Sequence, residues 1–227
     1  MIKDRRVALI FRAASLLIAI AGFLAMLGVF AGRLRPATLA FYTMLSNVLA
    51  IVLFCLLTVR TAIGLREGRR GNAGYFARFE MICSIDLMLT LVVYWVLLAP
   101  TIFTMAEGYS LLTFDNLAVH AITPLLCLLD YILFTQPRHL KYRDVYFGSI
   151  FPLAYLAGTS IAGLLGYVYF TSQADGLPVR FPYFFYDFDR IGIVSLAYIG
   201  ALLAFFLVIG HVFYLIDKKI RKPGDNR

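Results

Sequence analysis

The sequence predicts an all-α membrane protein, a six-transmembrane-helix bundle that forms a single domain over residues 1–227. Hydrophobic residues make up 61% of the chain and charged residues 15%, and the mean hydropathy is +0.82. A soluble domain of this length needs more charged side chains to cover its surface. We therefore expect lipid to solvate the outside of the bundle.

Six apolar segments account for the predicted helices in chain order. Each has about the 17–25 residues that a helix needs to cross a hydrocarbon core of roughly 30 Å. The segments are Val7–Phe30, Leu39–Val59, Phe79–Ala99, Leu117–Thr135, Tyr146–Phe170 and Ile191–Ile216. The first is longer than the apolar part of a signal peptide, so it is interpreted as a spanning helix. The fifth contains Pro152 and four glycines and is the least regular.

Basic residues are concentrated at one set of helix ends. Sixteen Lys and Arg lie before the first helix, between the second and third, between the fourth and fifth, and after the sixth. The opposite ends hold only Arg33, Arg35, Arg180 and Arg190. The positive-inside rule then predicts that the N- and C-termini are both cytoplasmic. The same placement accounts for the net charge of +8 without a nucleic-acid partner.

Ionisable residues inside the predicted helices are costly unless they face the bundle interior or water. Those considered for a functional role are Arg12, Asp86, His120, Asp130 and His211. Arg12 is expected to extend its guanidinium to the nearby cytoplasmic interface. Asp130 and His211 are expected to be solvated at the same interface. His120 differs, because it lies about one turn inside the opposite end of the fourth helix.

Thr43 and His120 are predicted to lie at the same depth. Each is about one turn inside its helix, roughly 6–8 Å below the external face at a rise of ~1.5 Å per residue. Ser46 and Asn47 follow Thr43 at i+3 and i+4, and Asn116 precedes His120 by four residues, so they share the faces of these two side chains. The spacing favours either a polar pocket or ordinary hydrogen bonding between helices.

A Thr–His pair of this kind fits nucleophilic acyl transfer, because a threonine hydroxyl needs a base and neutral imidazole is the usual one. Asn47 or a backbone N–H could donate to the oxyanion. Asp86 is the only carboxylate considered for orienting the imidazole, but it is predicted to lie well below His120. A Thr43–His120 dyad is therefore expected rather than a triad.

Three segments resemble a known family of membrane hydrolases. Phe41–Asn47 (FYTMLSN) resembles the polar start of a helix in the androgen-induced-protein and androgen-dependent TFPI-regulating-protein family, and Asn116–Pro124 resembles its histidine segment. Phe181–Asp187 (FPYFFYD), followed by Gly192, resembles an aromatic loop of the bacterial six-helix branch.

The resemblance implies a threonine hydrolase that cleaves lipid esters, including fatty acid esters of hydroxy fatty acids. Thr43 is then implied as nucleophile and His120 as base, in a multi-pass protein of the bacterial cytoplasmic membrane. The aromatic loop either anchors the chain at the interface or covers the acyl chain, and its Tyr183 is expected to contact substrate. Asp187 at its end is expected to cap the start of the sixth helix.

Two other functions remain open from the sequence. A transporter or channel would use Asp86, His120 and Asn47 as a path for a solute or proton. A non-enzymatic lipid-binding protein would use the polar face only to hold helices together. No cofactor or metal is predicted, since the sequence has neither CxxC, HxxH nor HExxH spacing, nor a carboxylate cluster.

Overall fold

Six helices long and apolar enough to cross a membrane run through the chain, which confirms the predicted fold class. The computed structural model describes residues 2–100, 110–135, 140–172 and 175–220. The helices are α1 (Arg5–Met26), α2 (Tyr42–Arg66), α3 (Ala77–Leu98), α4 (Phe114–Phe134), α5 (Tyr142–Leu164) and α6 (Val194–Lys218).

The helix bounds differ from the predicted ones mainly where glycine ends a helix. α1 stops at Met26 and α5 at Leu164, four and six residues before the predicted ends. Gly28 and Gly166 follow with φ of 85° and 89°, the left-handed conformation that commonly closes a helix. α2 instead continues to Arg66, seven residues beyond its predicted end.

Three helices contain a π-turn, which in α6 is Ile216–Ile220 at its end, and α5 begins as a 3-10 helix. α3 ends in the π-turn Tyr94–Leu98, and α4 contains the π-turn Ala118–Ile122. α5 starts with the 3-10 segment Tyr142–Ser149, and another 3-10 turn, Pro36–Ala40, leads into α2. π-Turns are rare and are often found at functional sites.

The connection between α5 and α6 carries the predicted aromatic loop. It holds a small antiparallel hairpin, β1 (Phe170–Thr171) with β2 (Pro178–Val179), and then a 3-10 turn, Phe184–Tyr186. Asp187 caps the one-turn helix Phe188–Ile191 by accepting hydrogen bonds from the backbone N–H groups of Asp189 and Arg190. Asp187 is therefore a helix cap, although the helix it caps is this short one and not α6 itself.

α1 and α4 approach closely where Gly22 faces Ala118. A Cβ atom added at Gly22 would lie 2.4 Å from the Cβ of Ala118, so no larger residue fits without moving one helix. α1 also packs on α2, and α3 packs on α2 and α4, while α6 contacts the start of α5 and the 3-10 turn Phe184–Tyr186. Ala118 opens the π-turn that carries His120, so this contact bears on the position of that side chain.

The prediction that Arg12 reaches the interface is wrong, and so is the prediction that Asp130 is solvated there. Arg12 is 0% exposed, and its Nε and Nη2 donate to the two carboxylate oxygens of Asp130 at 2.8 and 2.9 Å. Nη1 donates to the Thr61 hydroxyl and the Ala73 carbonyl, both at 2.8 Å. Because a bidentate partner is available inside the bundle, the guanidinium is more stable there than extended along the helix.

Candidate functional site

A cavity of about 300 Å³ lies at the end of the bundle where α2 and α4 begin. Its walls come from the last turn of α1 (Met26), the region leading into α2 (Thr38, Phe41, Thr43, Met44), the π-turn of α3 (Tyr94, Leu98), the π-turn of α4 (His120) and the aromatic loop (Pro182, Tyr183, Phe184). Thr43 and His120 therefore line one cavity, although Thr43 is the second residue of α2 and His120 the seventh of α4. Both side chains are buried, each with 7% of its surface exposed.

Ser46 and Asn47 hold the backbone of Thr43 in place. The Ser46 hydroxyl donates to the Thr43 carbonyl at 3.0 Å and lies 2.9 Å from the Thr90 hydroxyl on α3. The Asn47 amide donates to the Thr43 carbonyl at 2.8 Å and to the Val119 carbonyl at 3.0 Å. These bonds tie the start of α2 to α3 and α4.

The oxyanion role considered for Asn47 is not supported. Both of its amide hydrogens are used by backbone carbonyls, and Asn47 is not among the residues that line the cavity. Asn47 and Ser46 are positioning residues, since they act on Thr43 through its backbone.

His120 is oriented by a backbone carbonyl and an aromatic ring. Its Nδ1 lies 3.1 Å from the carbonyl oxygen of Asn116, and the ring of Tyr94 stacks on the imidazole with centroids 3.6 Å apart and planes 16° apart. A carbonyl only accepts, so Nδ1 must carry the proton in this contact. The lone pair is then on Nε2, where a base needs it.

Asn116 contributes to the site through its backbone. Its side-chain Nδ2 donates to the Leu111 carbonyl at 2.7 Å, and the side chain is not part of the cavity wall. The predicted i, i+4 proximity of Asn116 and His120 is therefore present, but it involves the Asn116 carbonyl and not the amide side chain.

Asp86 is bonded to Tyr42 and not to His120. Its Oδ1 accepts a hydrogen bond from the Tyr42 hydroxyl at 3.0 Å, and within the described residues its buried Oδ2 has no hydrogen-bond partner. The same part of the chain shows no hydrogen bond between Asp86 and His120. Among the described residues, Asp86 therefore does not orient the imidazole.

Tyr183 brings a hydroxyl group from the aromatic loop to Thr43. It is 8% exposed, its ring stacks on Phe185 with centroids 5.0 Å apart, and it meets Phe41 edge-on at 5.4 Å. Burial raises the pKa of Tyr183 to about 12, and hydrogen bonding with the Thr43 side chain opposes part of that rise. The hydroxyl is thus a proton-bearing group beside the candidate nucleophile.

Thr43 and His120 face the same cavity without a direct hydrogen bond between their side chains in the described residues. A base acts within hydrogen-bond distance or through one water molecule, and such contacts are commonly longer before substrate binds. The cavity volume leaves room for either arrangement.

Tyr94 is the site residue that sequence reasoning missed. Nothing in its sequence context distinguishes it from other interfacial aromatics, because its role depends on the π-turn that starts at its position. Within the described residues, no group of three or more His, Cys, Asp or Glu side chains is arranged to hold a metal ion.

Comparison with known proteins adds no relative to this description, since no protein family, curated protein or solved structure matches the chain.

Proposed function

We propose that the protein is an intramembrane lipid ester hydrolase with Thr43 as nucleophile and His120 as base. The observation that supports it most is one cavity lined by the buried side chains of Thr43, Tyr183 and His120, whose Nδ1 contact with a carbonyl leaves the lone pair on Nε2. The substrate class is fatty acid esters, such as the fatty acid esters of hydroxy fatty acids that the sequence resemblance implies. The substrate reaches the cavity from the bilayer.

The first half of the reaction acylates Thr43. Nε2 of His120 takes the hydroxyl proton, directly or through one water molecule, as Thr43 Oγ bonds to the ester carbonyl carbon. The tetrahedral intermediate collapses by breaking the bond to the alcohol oxygen, and His120 gives its proton to that oxygen. The alcohol leaves and an acyl-threonine remains.

The second half returns the enzyme to its starting state. His120 takes a proton from water while the water oxygen bonds to the acyl carbon. The bond to Thr43 Oγ then breaks, the proton passes from His120 to that oxygen, and the fatty acid is released. One ester and one water give one acid and one alcohol.

Tyr183 is assigned as a donor to the oxyanion. Its hydroxyl interacts with Thr43 and carries its proton at neutral pH, as any tyrosine does, and burial extends this to higher pH by raising the pKa of Tyr183 to about 12. A hydrogen bond aimed at the developing charge in a water-poor cavity is worth far more than the same bond in water.

The proposed orientation places the site near the external face. The basic ends predict cytoplasmic termini, and the cavity is formed at the other ends of the helices, where α1 and α3 finish and α2 and α4 begin. A bacterial cytoplasmic membrane is the proposed location.

A fluorophosphonate probe with an alkyl chain tests the nucleophile. We expect labelling of the purified protein, loss of labelling in Thr43→Ala and strong reduction in His120→Ala. Ser84→Ala is the matched control, because it removes a buried hydroxyl on α3 that does not line the cavity and does not contact Thr43. Labelling that persists in Thr43→Ala would remove Thr43 from this role.

A further inference from the structure

A second cavity adjoins the first on the side away from His120. It lies between α3, α5 and α6 and has a volume of about 70 Å³. Four residues line both cavities: Thr43, Tyr94, Leu98 and Tyr183. Thr43 therefore stands at the junction of the two spaces, whereas His120 faces only the larger one.

The second cavity is apolar and reaches the lipid-facing surface. α6 contributes Leu202, Leu203 and Phe206 to its wall, and α5 contributes Leu153 and Leu156. Leu153 is 39% exposed, so the cavity extends to the outer surface of the bundle. A hydrocarbon chain in the bilayer can enter there without crossing a polar surface.

Apart from those of Thr43 and Tyr183 at the junction, the hydroxyl groups in its wall are already bonded to the protein. They belong to Tyr42, Thr90, Tyr155 and Tyr186, and their partners are Asp86, Ser46, the Ala40 carbonyl and Thr159 respectively. A ligand in this cavity therefore meets mainly carbon atoms. Such a surface fits a hydrocarbon chain and offers little to a polar one.

The position of His120 decides whether a hydrocarbon chain in the second cavity belongs to the acyl part or to the alcohol part of the ester. The base must protonate the alcohol oxygen as it leaves, so the alcohol lies on the side of His120 in the larger cavity. With the carbonyl carbon at Thr43, the acyl arm points the other way. We infer that the second cavity is the acyl-chain site, and that it takes an unbranched chain from the bilayer between α5 and α6.

This inference rests on the proposed function for the assignment of the two arms. The difference in volume agrees with it, since about 70 Å³ suits a narrow chain and about 300 Å³ leaves room for a bulkier alcohol. The length of the acyl chain should therefore affect the rate through its fit to the second cavity, and the size of the alcohol should affect the rate through its fit to the first.

Leu202→Trp tests the acyl site by filling it. With a fixed alcohol and acyl chains from butyrate to palmitate, kcat/KM of the wild type should rise about fourfold per methylene until the chain passes the cavity. The variant should lose this rise and cleave the palmitate ester at least tenfold more slowly, with the butyrate ester little changed. Leu207→Trp is the control, because Leu207 is exposed on α6 and lines neither cavity.

A second ester series has a fixed short acyl group and alcohols of increasing size. The dependence of kcat/KM on alcohol size should be the same in the wild type and in Leu202→Trp. If Leu202→Trp leaves the acyl-length dependence intact, or changes the alcohol dependence instead, the assignment of the arms is wrong.

Photolabelling separates the failure of this inference from the failure of the proposed function. A palmitate analogue with a diazirine in its chain should label the α5 and α6 wall in lipid nanodiscs, saturably, and the label should disappear in Leu202→Trp. Such labelling without hydrolysis of any ester would refute the proposed hydrolase function but would still identify a binding site for a hydrocarbon chain. Hydrolysis with labelling only at lipid-facing residues, unaffected by excess palmitate, would overturn the acyl site and leave the hydrolase.

Discussion

Removing the carboxylate of Asp130 should destabilise the bundle far more than removing the whole ion pair. The Arg12 guanidinium is 0% exposed, and in Asp130→Ala it would keep, among the described residues, only the hydroxyl of Thr61 and the carbonyl of Ala73 as hydrogen-bond partners. Two hydrogen bonds and the opposite charge are lost at once. Breaking a buried pair in this way costs about 3–5 kcal/mol.

That cost converts to a large change in melting temperature. For a chain of this size, 1 kcal/mol corresponds to roughly 2–4 °C, so we expect a decrease of about 6–20 °C in detergent. The measurement is thermal unfolding of purified protein, followed by size-exclusion chromatography of the remaining soluble fraction. Asp130→Asn should fall between the wild type and Asp130→Ala, because it keeps the shape and one acceptor.

The matched control removes both charges. Arg12→Met with Asp130→Leu replaces the pair by apolar side chains, which commonly restores stability to near or above the wild-type value. A melting temperature for Asp130→Ala within about 2 °C of the wild type would refute the reasoning, because 3 kcal/mol cannot produce so small a shift. So would a double variant as unstable as Asp130→Ala.

Four further predictions concern the candidate site. Tyr183→Phe should lower kcat about 100- to 1000-fold with little change in melting temperature, as expected for loss of an oxyanion donor, and an unchanged kcat would exclude that role. Because burial raises the pKa of Tyr183 to about 12, its hydroxyl keeps its proton and the wild type should show no loss of kcat near pH 10 from this group. Asp86→Asn should keep kcat within about threefold, whereas an orienting carboxylate of a triad would cost about 10⁴-fold. Gly22→Ala should lower activity by at least tenfold, because a shift of about 1 Å at Ala118 carries the π-turn with it. The pair Gly22→Ala with Ala118→Gly should recover activity, and Gly158→Ala, which meets open space, should have no effect.

The six helices could be predicted from the sequence because each depends on a local property, the length of an apolar run. The common cavity of Thr43 and His120 could be predicted for a related reason. Depth was predicted from the number of residues between each side chain and the predicted start of its helix, about one turn in both cases, whereas in the structure α2 begins at Tyr42 and α4 at Phe114.

The partner of Arg12 could not be predicted in the same way. The sequence places Arg12 and Asp130 near the same end of the bundle, but it does not say that α1 and α4 are neighbours or that the two side chains face each other. Solvation of a charge at the interface can be predicted from the local sequence alone. A buried ion pair depends on the packing of two helices, and here the paired residues are 118 positions apart in the chain. The prediction for Arg12 was therefore wrong about its tertiary contact and not about its depth in the bundle.

The details of the imidazole's surroundings depend on two departures from regular helix geometry. Periodicity arguments assume 3.6 residues per turn, but α3 and α4 each change to a π-turn at the level of the cavity, at Tyr94–Leu98 and Ala118–Ile122. An extra residue in a turn rotates the next part of the helix by about 100° relative to the preceding face. Asn116, before the π-turn, then directs its side chain away from the cavity while His120, within it, lines the wall. Since Tyr94 stacks on His120 from a second π-turn at the same level, the two departures together place the ring, its carbonyl acceptor and the free Nε2 toward one space.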